Sequence, residues 1–193
     1  MSALKNGFHR VLGSGLENYT APKYGEIRGV QIRFKPSSQQ DSVSWYDWKE
    51  TLHEMIPRYD EAGWLEGFTK INIQHDLVRR DAVGQYFMSD GSINLENNLD
   101  MGWGNSRVLG HSQKHILTHE MVHHAHMYVN DFGDRDVDFD KDFIRREVSY
   151  YAGSNILEAI AEIGAGIALG HEFPQEIHDF YEEHDGPQEV YEL

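Results

Sequence analysis

Ser112-Gln113-Lys114-His115-Ile116-Leu117-Thr118-His119-Glu120-Met121-Val122-His123-His124-Ala125-His126-Met127-Tyr128-Val129 is the stretch on which the reading of this chain turns. Its apolar residues recur at helical spacing on two sides. Leu117, Met121, Ala125 and Tyr128 form one stripe, and Ile116 and Val122 accompany His119 and His123 on roughly the opposite side. The pattern predicts a helix buried almost all round. Inside it, His119-Glu120-Met121-Val122-His123 is H-E-x-x-H. Two His at i and i+4 stand one above the other on one helix face, so both imidazoles reach one tetrahedral ion. Glu120 beside them is placed to take a proton from a water held at an open position of that ion. With twelve His in 193 residues the pattern also arises by chance, so its surroundings have to carry the reading. A run of His and Glu in so apolar a helix counts against chance, because each buried polar group needs a partner.

A catalytic zinc takes three protein ligands, and a chain without Cys must supply the third from His, Asp or Glu. Downstream, Glu158-Ala159-Ile160-Ala161-Glu162 again places two carboxylates at i and i+4, in a segment that is otherwise apolar and small. Charges there are costly unless they meet a cation. Glu158 is therefore read as the third ligand, and Glu162 as the acceptor of the free ring N–H of a liganding imidazole, that of His119. Two plainer readings stand beside this one: Glu158 as the capping-box partner of Asn155, and Glu162 as a solvated charge. His171 is the other candidate for third ligand. His111, His115, His124 and His126 read as solvent-facing or outer residues rather than as a second metal site.

Tyr151-Ala152-Gly153-Ser154-Asn155-Ile156-Leu157-Glu158-Ala159-Ile160-Ala161-Glu162 resembles the Y-[AG]-x-x-N-x-x-E-x-[FI]-A-E segment that follows H-E-x-x-H in gluzincin metallopeptidases of the anthrax lethal factor type. Similar segments occur in zincin-like proteins of tailed phages. The resemblance covers about residues 112–170 and does not extend to residues 1–80. It implies an α+β zincin-like fold: a small twisted mixed sheet packed on the active-site helix, a C-terminal helical part, and an edge strand that pairs with extended substrate. Ser92 to Asn97, centred on Ile93, Asn94 and Leu95, is the expected edge. Tyr151 would stabilise the oxyanion or protonate the leaving amine, with Tyr150 as the alternative donor. Other zinc classes fit less well, because the metzincin positions for Gly and His hold His126 and Val129, and deformylase-type sites need a Cys.

Outward from these helices, the chain reads as one domain in three parts: an N-terminal extension with a strand (1–43), a helix and sheet lobe (44–111) and the zinc-binding helices (112–193). Val30, Ile32 and Phe34 alternate as in a half-buried strand, and Phe68, Ile71 and Ile73 suggest another. A Pro/Ser/Gln connector runs from Lys35 to Ser44. After it, Trp45, Trp48, Leu52, Met55, Ile56 and Tyr59 predict a helix capped by Ser44 and kinked or ended at Pro57. Ser89-Asp90-Gly91-Ser92 predicts a hairpin between Tyr86–Met88 and Ile93–Leu95. A long helix is expected over about Asn155–Leu169, with Gly164, Ala165 and Gly166 allowing a close helix approach, and a short one after Pro174. Asp136, Asp138, Asp140 and Glu147 fall at calcium-loop positions, but Lys141 replaces the turn Gly, so Asp131–Asp142 reads as a solvated acidic loop.

The charge balance of 17 Lys plus Arg against 32 Asp plus Glu leaves a formal net charge of −15, which disfavours nucleic acid and anionic membrane as partners. At 39% hydrophobic residues the chain can bury a core. Met1 to Gly13 carries no apolar run of the secretory kind, and Ile156 to Leu169 is too short to span a bilayer, so the expected location on synthesis is the cytoplasm. The expected function is a zinc-dependent endopeptidase with one Zn2+ per chain, acting on a protein or peptide substrate. The alternative is a structural or assembly protein of a phage particle, virion-associated and contacting other virion proteins, that keeps the fold and uses zinc as a staple. A purely structural site needs neither Glu120 nor Tyr151.

Overall fold

A computed structural model describes residues 23–35, 41–74, 84–96, 112–129 and 137–193, with the helix alone and not its side chains over 41–46. The described elements are α+β: a five-stranded mixed sheet and five α-helices. In chain order they are β1 (Lys23–Ile27), β2 (Val30–Lys35), α1 (Asp41–Glu61), β3 (Lys70–Gln74), β4 (Gly84–Phe87), β5 (Ser92–Glu96), α2 (Gln113–His124), α3 (Lys141–Glu147), α4 (Ile156–Ala168) and α5 (Gln175–Glu183). The sheet order is β1-β2-β3-β5-β4, with β2, β3 and β5 mutually parallel and β1 and β4 antiparallel to their neighbours.

Period-two alternation places Val30, Ile32, Phe34, Ile71, Ile73, Ile93 and Leu95 in the core. Trp48, Leu52, Met55, Ile56 and Tyr59 of α1 are buried in the same apolar cluster, as are Leu117, Met121 and Val122 of α2 and Ile160 of α4. α2 lies between the sheet and α4: it touches β4 and β5 on one side, α4 on another, and α1 alongside. The hydroxyls of Tyr59 and Thr118, 2.8 Å apart, tie α1 to α2. On the α4 side, a Cβ added at Gly164 would stand 3.0 Å from both Val122 methyl carbons and 2.7 Å from the Tyr181 hydroxyl, so the close helix approach depends on that Gly. Burial of residues 115–122 and of 124 matches the expected all-round burial of α2. No helix among the described residues is long and apolar enough to cross a membrane.

Several local expectations are corrected. The Asp-Gly hairpin is present, but β5 lies between β3 and β4, so Ile93, Asn94 and Leu95 are interior to the sheet and the edge on this side is β4. A hairpin turn is a local signal; which of its two strands meets β3 is decided by burial, and β5 is the one that carries Ile93 and Leu95. α1 begins at Asp41, so Ser44 lies within the helix rather than capping it, and Pro57 neither ends nor delimits α1. The helix runs on to Glu61 because Ile56 and Tyr59, on either side of Pro57, are buried in the core, and a helical φ suits the ring. The acidic loop expected to run to Asp142 gives way to helix at Lys141, because Asp140 serves as N-cap and accepts the Phe143 N–H at 2.9 Å. Asp136 lies outside the described residues, as do His111, Asn97 and residues 1–22.

α2 passes without a break into a π-helical turn, Ala125–Val129. His126 in that turn is buried and its Nε2 donates to the His184 carbonyl at 3.1 Å. Burial disfavours the imidazolium and drives its pKa down to about 4. An unfolded His takes up its proton near pH 6.5, so between there and pH 4 the unfolded chain binds more protons and stability falls with pH by up to about 3 kcal/mol. Urea midpoints taken across this window should drop more steeply for the wild type than for His126→Gln; equal slopes would remove His126 as their source.

Candidate metal centre

The site is built from three elements whose local signals are plain. Ser112 caps α2 by accepting the His115 N–H at 3.1 Å, so His115, His119 and His123 climb one face at intervals of four. Asn155 caps α4 by accepting the Glu158 N–H at 3.1 Å, which leaves the Glu158 side chain free to turn toward α2. Tyr151 stands in the turn just before that cap.

His119 Nε2, His123 Nε2 and Glu158 Oε2 form a nearly equilateral triangle with sides of 3.1, 3.1 and 3.2 Å. Donors bound at 2.0–2.2 Å to one tetrahedral zinc stand about 3.3 Å apart, so this set fits such an ion with shifts of a few tenths of an ångström. Hydrogen bonding alone serves the triangle poorly, because two ring nitrogens face each other and share a single carboxylate oxygen. The surroundings favour charge separation. Burial opposes ionisation of Glu158, but His123 and His119 outweigh it and hold its pKa well below the carboxylate range. Burial likewise opposes a charged His119, and Glu158 and Glu162 override it, raising its pKa well above the usual value.

A second donor group, His115, His119 and Glu162, lies beside the first and shares His119 through its other nitrogen. Glu162 Oε1 is 2.9 Å from His119 Nδ1 and 3.1 Å from His115 Nε2. Both groups are close-set enough to hold a metal ion. The Glu162 contact to His119 is the one expected from the sequence. His115, read there as solvent-facing or outer, is buried, as are His124 and His126.

Glu120 is buried, and its pKa is raised because burial outweighs the pull of His119 and His123. The Tyr86 backbone N–H donates to its carboxylate. Gly84 lies so close that a Cβ there would overlap the Glu120 carboxylate, standing 2.8 Å from both Cγ and Cδ, so β4 is pressed against this residue. His124 holds the same strand from the other end, accepting from the Tyr86 hydroxyl at 2.9 Å while its Nε2 donates to the Glu66 carbonyl, also at 2.9 Å. Gly84 and Tyr86 carried no signal in the sequence, since their role comes only from the packing of β4 on α2.

Tyr151 is 48% exposed over the whole residue, but its ring lies 5.9 Å from that of His119 and its phenol faces Glu158. Its phenol pKa is raised by burial first, then by the charges of Glu158 and Glu120. Tyr150 is 73% exposed and stacks under Arg145 at 5.2 Å, which leaves Tyr151 as the tyrosine at the site. His171 belongs to neither donor group and packs on Phe173 instead. No protein-family model, curated protein or solved structure matches this chain.

Proposed function

We propose that the chain is a zinc-dependent endopeptidase of the zincin type, holding one Zn2+ on His119, His123 and Glu158. The observation that carries this reading is the triangle of three donors 3.1–3.2 Å apart with Glu120 next to His119 in the same turn of the helix. Bound there, the ion supplies Lewis acidity to a carbonyl oxygen and to water. Glu120 accepts a proton from the attacking water and returns it to the leaving amine, a task suited to a carboxylate whose pKa burial has raised. Tyr151, with its pKa pushed up, stays protonated and donates to the carbonyl oxygen as negative charge builds. β4 has no partner on its outer side among the described residues, so an extended peptide can add to it as a further strand.

Metal content measured by mass spectrometry on chelator-free protein is expected to show about one zinc per chain, lost or much weakened in Glu158→Ala. A wild type without zinc would overturn the reading and leave the two helices as an ordinary core.

A further inference from the structure

We propose that His115 and Ser149 are positioning residues that act through Glu162 to hold His119 in one tautomer, with Nε2 aimed at His123 and Glu158; this rests on the metal reading above. Glu162 has three polar neighbours, two hydrogen-bonded to it and one at ion-pair distance. His119 Nδ1 at 2.9 Å and His115 Nε2 at 3.1 Å share Oε1, and the Ser149 hydroxyl donates to Oε2 at 3.2 Å. None of these four residues is more than 7% exposed, so the carboxylate is largely shielded from solvent and its rotation would cost a partner. A neutral imidazole carries one ring proton. When His119 gives up its second proton to take a cation, the charge of Oε1, 2.9 Å from Nδ1, holds the remaining proton there and leaves Nε2 its lone pair.

Ser149 does a second thing with its other valence. Its oxygen accepts the Ala152 N–H at 3.0 Å, which fastens the turn that carries Tyr151 to the carboxylate that orients His119. One hydroxyl thus sets the relative placement of a ligand on α2 and a phenol in the segment before α4. His115 contributes from the opposite side, one helical turn before His119, so Glu162 is clasped between two rings whose centres are 6.4 Å apart.

The test is a titration of metal-free protein with Co2+, followed by visible absorption, on the wild type and on Ser149→Ala, Ser149→Thr, His115→Leu and His115→Gln. Thermal melts of each metal-free form run beside it. Loss of an outer partner of this kind weakens metal binding by about tenfold to a hundredfold. Ser149→Ala and His115→Leu are expected to show that loss with an altered Co2+ band, and Ser149→Thr and His115→Gln, which keep a donor, to recover most of it. Wild-type affinity and spectrum in both Ser149→Ala and His115→Leu would overturn the proposal, whatever the melts show, and would reduce the network to a fold contact. Should those two variants fail to fold, Ser149→Cys, near in size but a weak donor, decides in the same way. A wild type that gives no Co2+ band overturns the metal reading itself, an outcome distinct from the first.

Discussion

Glu120→Gln is expected to lower peptide hydrolysis by about a hundredfold to ten-thousandfold with zinc still bound, since loss of a general base costs that much. Gln has the shape of Glu and keeps an oxygen for the Tyr86 N–H, so the contact of α2 with β4 survives. Gly84 leaves no room for a larger group at that carboxylate, which makes the isosteric exchange the right one. The ligand triangle does not include Glu120 and should be untouched. Cleavage of a mixed peptide library, measured per mole of bound zinc, checks this. Unchanged hydrolysis in the variant would remove Glu120 as the base; a wild type that binds zinc and cleaves nothing would point to zinc as a folding staple.

His119→Ala should both empty the site of metal and destabilise the chain. His119 stands between Glu158, 3.1 Å from its Nε2, and Glu162, 2.9 Å from its Nδ1, and it answers both buried carboxylates. Removing one partner of a buried charge pair costs about 3–5 kcal/mol, because the charges left behind stay desolvated. For a chain of this length that is a fall in Tm on the order of 10 °C. Calorimetry should place the variant below chelator-treated wild type, which keeps its imidazole. Coincidence of the two would show that the metal alone, and not the pairing of His119 with the two carboxylates, accounts for the loss.

Much of the centre is legible from local pattern, because its chemistry is spaced along two helices. His119 and His123 share a face through the 3.6-residue repeat, and Glu158 and Glu162 share one for the same reason, so each pair is fixed before any packing is known. Asn155 shows how an ambiguous signal resolves: its side chain caps the Glu158 N–H, as the capping reading requires, while the carboxylate is used elsewhere. α3 is hidden by its acidity, since Asp138, Asp140 and Asp142 read as loop until Asp140 is seen to cap a helix. β1 is hidden by its sequence, Lys23-Tyr24-Gly25-Glu26-Ile27, which lacks apolar alternation. It is set instead by the turn at Arg28 and Gly29, both at positive φ, and by pairing with β2.

The sequence by itself determined the strands of alternating pattern, the buried helix, its H-E-x-x-H and the placing of Glu158 and Glu162 on one face of a second helix, because these depend on residues within a few positions of one another. Tertiary structure alone decided that β4 and not β5 is the edge, that Gly84 and Tyr86 enclose Glu120, and that His115 and Ser149 share Glu162 with His119. These contacts join positions tens of residues apart in most cases. Whether each forms depends on which apolar faces bury together, a property of the whole packed core that no window of the chain contains.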